Sequence, residues 1–272
     1  MRRHRLLLLA LPVLTLACSD DGDSAGSSAA PTNTAAATTE APTTAAPTTV
    51  AATAHIRGTA YTFNTPDPIA GATIKAEELP DVSTVTAADG SYDLEVPAGS
   101  TVTLYIEAEG HHTIHVQTFT LDADHDGTEL DGVNFQTPND AIYEALKSLI
   151  AGYTGKDPFE GGCVIVTTVG DARMVGMSFD EFINFHPHGV AGATANIDPA
   201  LATPIYFNDS VIPDKEQTTT SGDGGVLWPN VPVGTYTLSA THPTIQFTTA
   251  NVRCEDGWVV NANPVWGLHA IP

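Results

Sequence analysis

The chain reads as an all-β protein built from two antiparallel β-sandwiches with one short linking helix, and three observations lead there. From residue 101 the side chains alternate, with Val102, Leu104, Ile106 and Ala108 on one face and Thr101, Thr103, Tyr105 and Glu107 on the other. Such a period of two makes a strand with one face in a core. An internal repeat follows: Ile69-Ala70-Gly71-Ala72-Thr73-Ile74 returns as Val190-Ala191-Gly192-Ala193-Thr194-Ala195, and Thr86-Ala87-Ala88-Asp89-Gly90 returns as Thr220-Ser221-Gly222-Asp223-Gly224. Between the copies lies a single amphipathic stretch of helical period, with Ile142, Leu146, Leu149 and Ile150 forming one stripe.

The N-terminus comes first. Arg2, Arg3 and Arg5 precede an apolar run over residues 6–16, then Ala17-Cys18. The run is too short to cross a bilayer as a helix, which needs about 20 residues, and the pattern is that of an export signal over 1–17. Leu14-Thr15-Leu16-Ala17-Cys18 resembles the lipobox of bacterial lipoproteins, which implies acylation of Cys18 and a lipid-bilayer partner. Ser19, in place of aspartate, implies the outer membrane if the envelope is Gram-negative. Residues 18–53 are Thr-, Ala- and Pro-rich, with too little large apolar surface to offset the entropy of ordering. They read as a disordered tether, spanning about 30 Å on average as a coil.

Removing the three signal arginines from the 10 Lys and Arg leaves 7 basic against 32 acidic residues, a net charge near −25. So acidic a surface repels phosphate backbones, which argues against a nucleic-acid partner. Two cysteines remain after Cys18, namely Cys163 and Cys254, and in an oxidising compartment such a pair is expected to form one disulfide.

Residues 54–135 form the first expected sandwich. Asp89-Gly90 supplies the positive-φ position of a turn, and Pro97-Ala98-Gly99 lets the chain re-enter the sheet. Together, Pro68-Ile69-Ala70-Gly71-Ala72-Thr73, Asp89-Gly90-Ser91-Tyr92, Val96-Pro97-Ala98-Gly99 and the alternating strand into Glu109-Gly110-His111-His112 resemble the carboxypeptidase regulatory-like domain. That resemblance implies a transthyretin-like, Ig-like sandwich, covering about residues 54–121 well and 163–265 loosely. It also implies a non-catalytic spacer or binding module, on a general fold that hosts carbohydrate-binding modules too.

Residues 136–160 read as the helical linker, with Thr137 as cap, Pro138 in the first turn and Asp140 completing a capping-box-like pattern. Residues 161–272 read as a second, degenerate sandwich. Its Asp-Gly turn comes 32 residues after Ala191, against 19 between Ala70 and Asp89. The excess, within residues 199–217, is expected to be a long loop.

Candidate chemistry is sparse. Asp122, Asp124 and Asp126 with Gly127 match positions 1, 3, 5 and 6 of a calcium loop. Val133 stands where the bidentate glutamate belongs, so Glu129 or Asp131 would have to complete the set. On one strand His111, His112 and His115 cannot share an ion, and His186 with His188 has a better spacing but no third ligand in the sequence. Tyr92, Tyr105, His112 and His115 faintly resemble the iron ligands of intradiol dioxygenases, implying a metal-dependent enzyme as the alternative function. Trp228 and Trp258 are the candidates for stacking on a sugar, with the buried core as their other reading. No hydrolase elbow, zinc-protease or phosphate-loop motif is present. The expectation is a membrane-anchored surface lipoprotein that acts as a non-catalytic binding or structural module, with a glycan or envelope protein as ligand.

Overall fold

The first half contributes strands β1 (Thr53–Thr62), β2 (Thr73–Ala76), β3 (Leu79–Val85), β4 (Ser91–Pro97), β5 (Thr101–Glu107), β6 (Ile114–Thr120), β7 (Glu129–Leu130) and β8 (Phe135–Thr137). Helix α1 (Asp140–Thr154) follows. The second half holds β9 (Gly162–Thr168), a short helix α2 (Phe179–Asn184), β10 (Thr194–Asp198), β11 (Ile205–Phe207), β12 (Pro213–Asp214), β13 (Gly225–Pro232), β14 (Gly234–Thr241), β15 (Ala250–Cys254) and β16 (Val259–Asn261). This computed structural model describes residues 52–272, so the export signal, Cys18 and nearly all of the tether lie outside the described residues.

The repeat is a repeat of strand pairing. β1 pairs with β4, β2 with β5 and β5 with β6; in the second half β9 pairs with β13, β10 with β14 and β14 with β15, all antiparallel. One buried threonine pins each copy. The Thr86 hydroxyl accepts the Ala72 N–H at 2.9 Å and donates to the Ile69 carbonyl at 2.6 Å. Thr220 accepts from Ala193 at 2.9 Å and donates to Val190 at 2.5 Å. The glycine of the first Asp-Gly turn is obligatory, because Gly90 has φ +79° and a Cβ there would lie 2.4 Å from the Ala60 carbonyl oxygen.

The two sandwiches share a sheet. Strands run in the order β12-β11-β13-β9-β16-β6-β5-β2-β3, and β16 is parallel to both β9 and β6. Its register places Val260 beside Ile165 and His115, and Asn261 beside Val166 and Val116. Paired residues share a face of the pleat. Ile165 and Val260 belong to the second core whereas Val116 belongs to the first, so the two cores lie on opposite faces of one sheet. The first is closed by β4-β1-β7 with β8, the second by β10-β14-β15.

This arrangement leaves the outward face of β9, β13 and β16 without a sheet to cover it. Helix α1 and the segments 171–189 and 263–270 do so instead, and Ile150 of α1 packs with Val164, Leu227 and Phe207. The N-cap of α1 is Asn139, whose side chain accepts the Ile142 N–H at 2.9 Å, and not Thr137, which is still extended at the end of β8. Helix α2 was not expected, although Ser178 and Glu181 form a full capping box. Phe179 of α2 reaches Tyr61 of β1 with ring centres 5.1 Å apart.

The expected loop over 199–217 holds two strands. Ile205–Phe207 pairs with β13 rather than with β10, because alternation sends Tyr206 into the second core and Phe207 to the opposite face. Cys163 of β9 and Cys254 of β15 form a disulfide that ties the two sheets of the second sandwich.

Candidate functional site

Of the residues singled out in the sequence, few are brought together. Arg57 on β1 takes both distal carboxylates of the expected calcium loop, with Glu129 at 2.6 Å and Asp131 at 3.5 Å, besides Asp93 at 2.8 Å. Asp122 accepts from His125 at 2.7 Å and from the Asp124 N–H at 2.9 Å, and Asp126 accepts the Thr120 N–H at 2.6 Å. Arg57 thus holds the two distal carboxylates while Asp122 and Asp126 bond within the turn, and among the described residues no cluster of three or more His, Cys, Asp or Glu is placed to hold a metal.

The iron-ligand echo also disperses. Tyr92 is buried in the first core and donates to the Val133 carbonyl at 2.6 Å. Tyr105 faces the other side, stacked with His115 at 5.3 Å, while His112 stacks on Tyr143 at 3.5 Å. His111 meets Thr62. His115 is buried between Trp258, at 3.6 Å, and the Glu77 carboxylate, at 2.9 Å, and burial lowers its pKa.

Trp228 is 2% exposed and fills the second core, so it cannot stack on a ligand. Trp258 is half-buried, and its ring is taken by His115 and by the Arg253 guanidinium at 5.3 Å.

The structure contains a site that the sequence did not show. On the uncovered face of the shared sheet lies a cavity of about 880 Å³, within the range of ligand pockets. Its floor is the outward set of β9, β13 and β16, namely Val164, Val166, Leu227, Val259 and Asn261. Tyr143, Leu146 and Ile150 of α1 roof one part, and Phe182, His186 and His188 another. Tyr61 and Phe63 from β1 and its end, and Phe207 and Asp209 from the inserted strand and its turn, complete the wall. Residues so scattered along the chain give no local motif.

The floor changes character along the strands. Val164 and Leu227 are apolar, whereas the far end carries Thr168, Asn263, Asp209 and Asp223. Asp209 accepts the Gly222 N–H at 2.9 Å and Asp223 the Gly225 N–H at 3.1 Å, and neither forms an ion pair with a described residue. Burial raises the Asp223 pKa, and Asp209 adds to the rise. The Asn263 Oδ1 is buried without a hydrogen-bond partner. His188 donates from Nε2 to the Phe182 carbonyl at 3.0 Å and stacks on the Phe182 ring at 4.6 Å; burial lowers its pKa. The lone lining lysine, Lys147, is paired with Asp157 at 3.0 Å.

Residues 55–135 match the carboxypeptidase regulatory-like domain family. The first half is thus similar in sequence to that domain. No curated protein matches the chain. Among solved structures, the Bacillus anthracis TIE protein is 13% identical with a TM-score of 0.25, covering 77% of this chain, which spans 33% of that protein's length. The shaft pilin SpaA from Lactobacillus rhamnosus GG is 10% identical with a TM-score of 0.24, covering 81% of this chain and 98% of the pilin. Likenesses this distant carry no argument, and the fold stands on the strand pairing itself.

Proposed function

We propose that this protein is a lipid-anchored surface module of the bacterial envelope, non-catalytic, that binds a ligand in the cavity beside its shared sheet. One observation carries the reading. Both halves contribute walls to a partly open cavity of about 880 Å³ where a fold built only as a spacer would be filled. The non-catalytic part is supported by the separation of Tyr92, in the first core, and His112, on Tyr143, from Tyr105 and His115, which stack on each other. Anchoring is supported by the lipobox resemblance at Cys18, with the tether holding the module off the bilayer. The cavity, rather than Trp228 or Trp258, is the seat of the ligand.

Two experiments test this. The chain exported with Cys18→Ser should move from the detergent-extracted membrane fraction to the soluble one, and persistence in the membrane would count against the anchor. The same soluble chain should bind one equivalent of the uncharged fluorophore N-phenyl-1-naphthylamine saturably, and Leu146→Trp, which fills the cavity from the helix side, should weaken binding at least tenfold. Absence of a saturable site would remove the reading.

A further inference from the structure

The cavity is asymmetric, and the asymmetry selects a ligand class. Its floor along β9 runs from Val164 to Thr168, about 13 Å at 3.3 Å per residue. Around Val164 the walls are hydrocarbon. Around Thr168 they are acceptors. Gly225 pairs with Thr168 on one side of β9, which places Asp223 there, while on the other side the Ala262 N–H bonds to the Val166 carbonyl, which places Asn263 next to the same strand end. Asp209 joins them through the Gly222 N–H it accepts.

Asp209 and Asp223 form no salt bridge with a described residue, and His186, whose charge would favour ionised Asp223, is the base standing beside them in the same wall. An anionic head would meet two carboxylates there, and at the other end only a lysine already engaged by Asp157. Building on the binding role proposed above, we infer that the cavity takes a cationic amphiphile. Its apolar body lies against Val164, Leu227 and Ile150, and its ammonium or guanidinium head donates to Asp209 and Asp223.

The test is competition for the N-phenyl-1-naphthylamine site on the soluble Cys18→Ser chain, with dodecylammonium and dodecanoate as probes of equal tail and opposite charge, below their micellar concentrations. Dodecylammonium should displace the fluorophore at a concentration at least tenfold lower than dodecanoate. In Asp223→Asn and in Asp209→Asn, each read against that variant's own fluorophore affinity, the ratio should shrink at least threefold. Equal or stronger displacement by dodecanoate would overturn the cationic class while leaving the cavity a binding site. A ratio unchanged in both variants would show attraction by the acidic surface at large and overturn the head placement. No displacement by either probe, with no saturable fluorophore site, would remove the inference and the binding reading together.

Discussion

Thr220→Val removes one hydroxyl and keeps the side-chain volume. In the structure that hydroxyl is the hydrogen-bond partner of the Ala193 N–H and the Val190 carbonyl, at a residue only 3% exposed. Valine leaves both backbone groups without that partner, at about 1–3 kcal/mol each, so a loss of about 2–6 kcal/mol is expected. Thr220→Ser keeps the hydroxyl and gives up a methyl group, for a loss near 1 kcal/mol. The assay is urea unfolding of the soluble chain, read as a lower midpoint at constant slope. Thr86 makes the same two bonds to Ala72 and Ile69, and the halves share one sheet, so Thr86→Val should shift the same single transition. If valine and serine at 220 differed by less than about 0.5 kcal/mol, the hydroxyls would not pin the repeat.

Three further outcomes follow from the packing. The Cys163 to Cys254 bond closes a separation of 91 residues, so replacing both with alanine should lower stability by about 4–5 kcal/mol on the chain-entropy model, measured by urea unfolding. Burial lowers the His115 pKa from its ordinary 6.5, so the unfolded chain binds more protons below that pH. Stability should therefore fall as pH drops from above 6.5 towards the lowered folded value, and His115→Phe should flatten that slope in melting curves taken between pH 7.5 and 5.5. Gly90→Ala drives a Cβ to 2.4 Å from the Ala60 carbonyl, whereas Gly99, also at positive φ, has open space around it. The first substitution should destabilise by at least about 2 kcal/mol more than the second, whose penalty is only the left-handed one of about 1–2 kcal/mol.

What was legible in the sequence was local. The alternation from Val102 to Ile106, the Asp89-Gly90 turn and the paired Gly-Ala-Thr segments each act within a few residues, and each forms the expected strand or turn. Trp228 belonged to the same kind of reasoning, since it alternates with Val226 towards the core. The sharing of a sheet was not legible, because it rests on the three residues of β16, whose pattern says nothing about β6, far off in sequence. The partners of the acidic loop were hidden for a similar reason: Arg57, over 60 residues upstream, pairs with Glu129 and Asp131 of the local motif. The cavity exists because the two cores lie on opposite faces, so no local pattern could announce it.

The most direct test of the cavity as a ligand site is a methyl-resolved NMR titration of the soluble chain with N-phenyl-1-naphthylamine. Shifts confined to Ile150, Val164, Val166 and Leu227, with Leu94 and Leu238 of the two cores unmoved, are what the account predicts. Shifts centred instead on the exposed Val85, Val175 and Val233 would mean adsorption to the surface and contradict it.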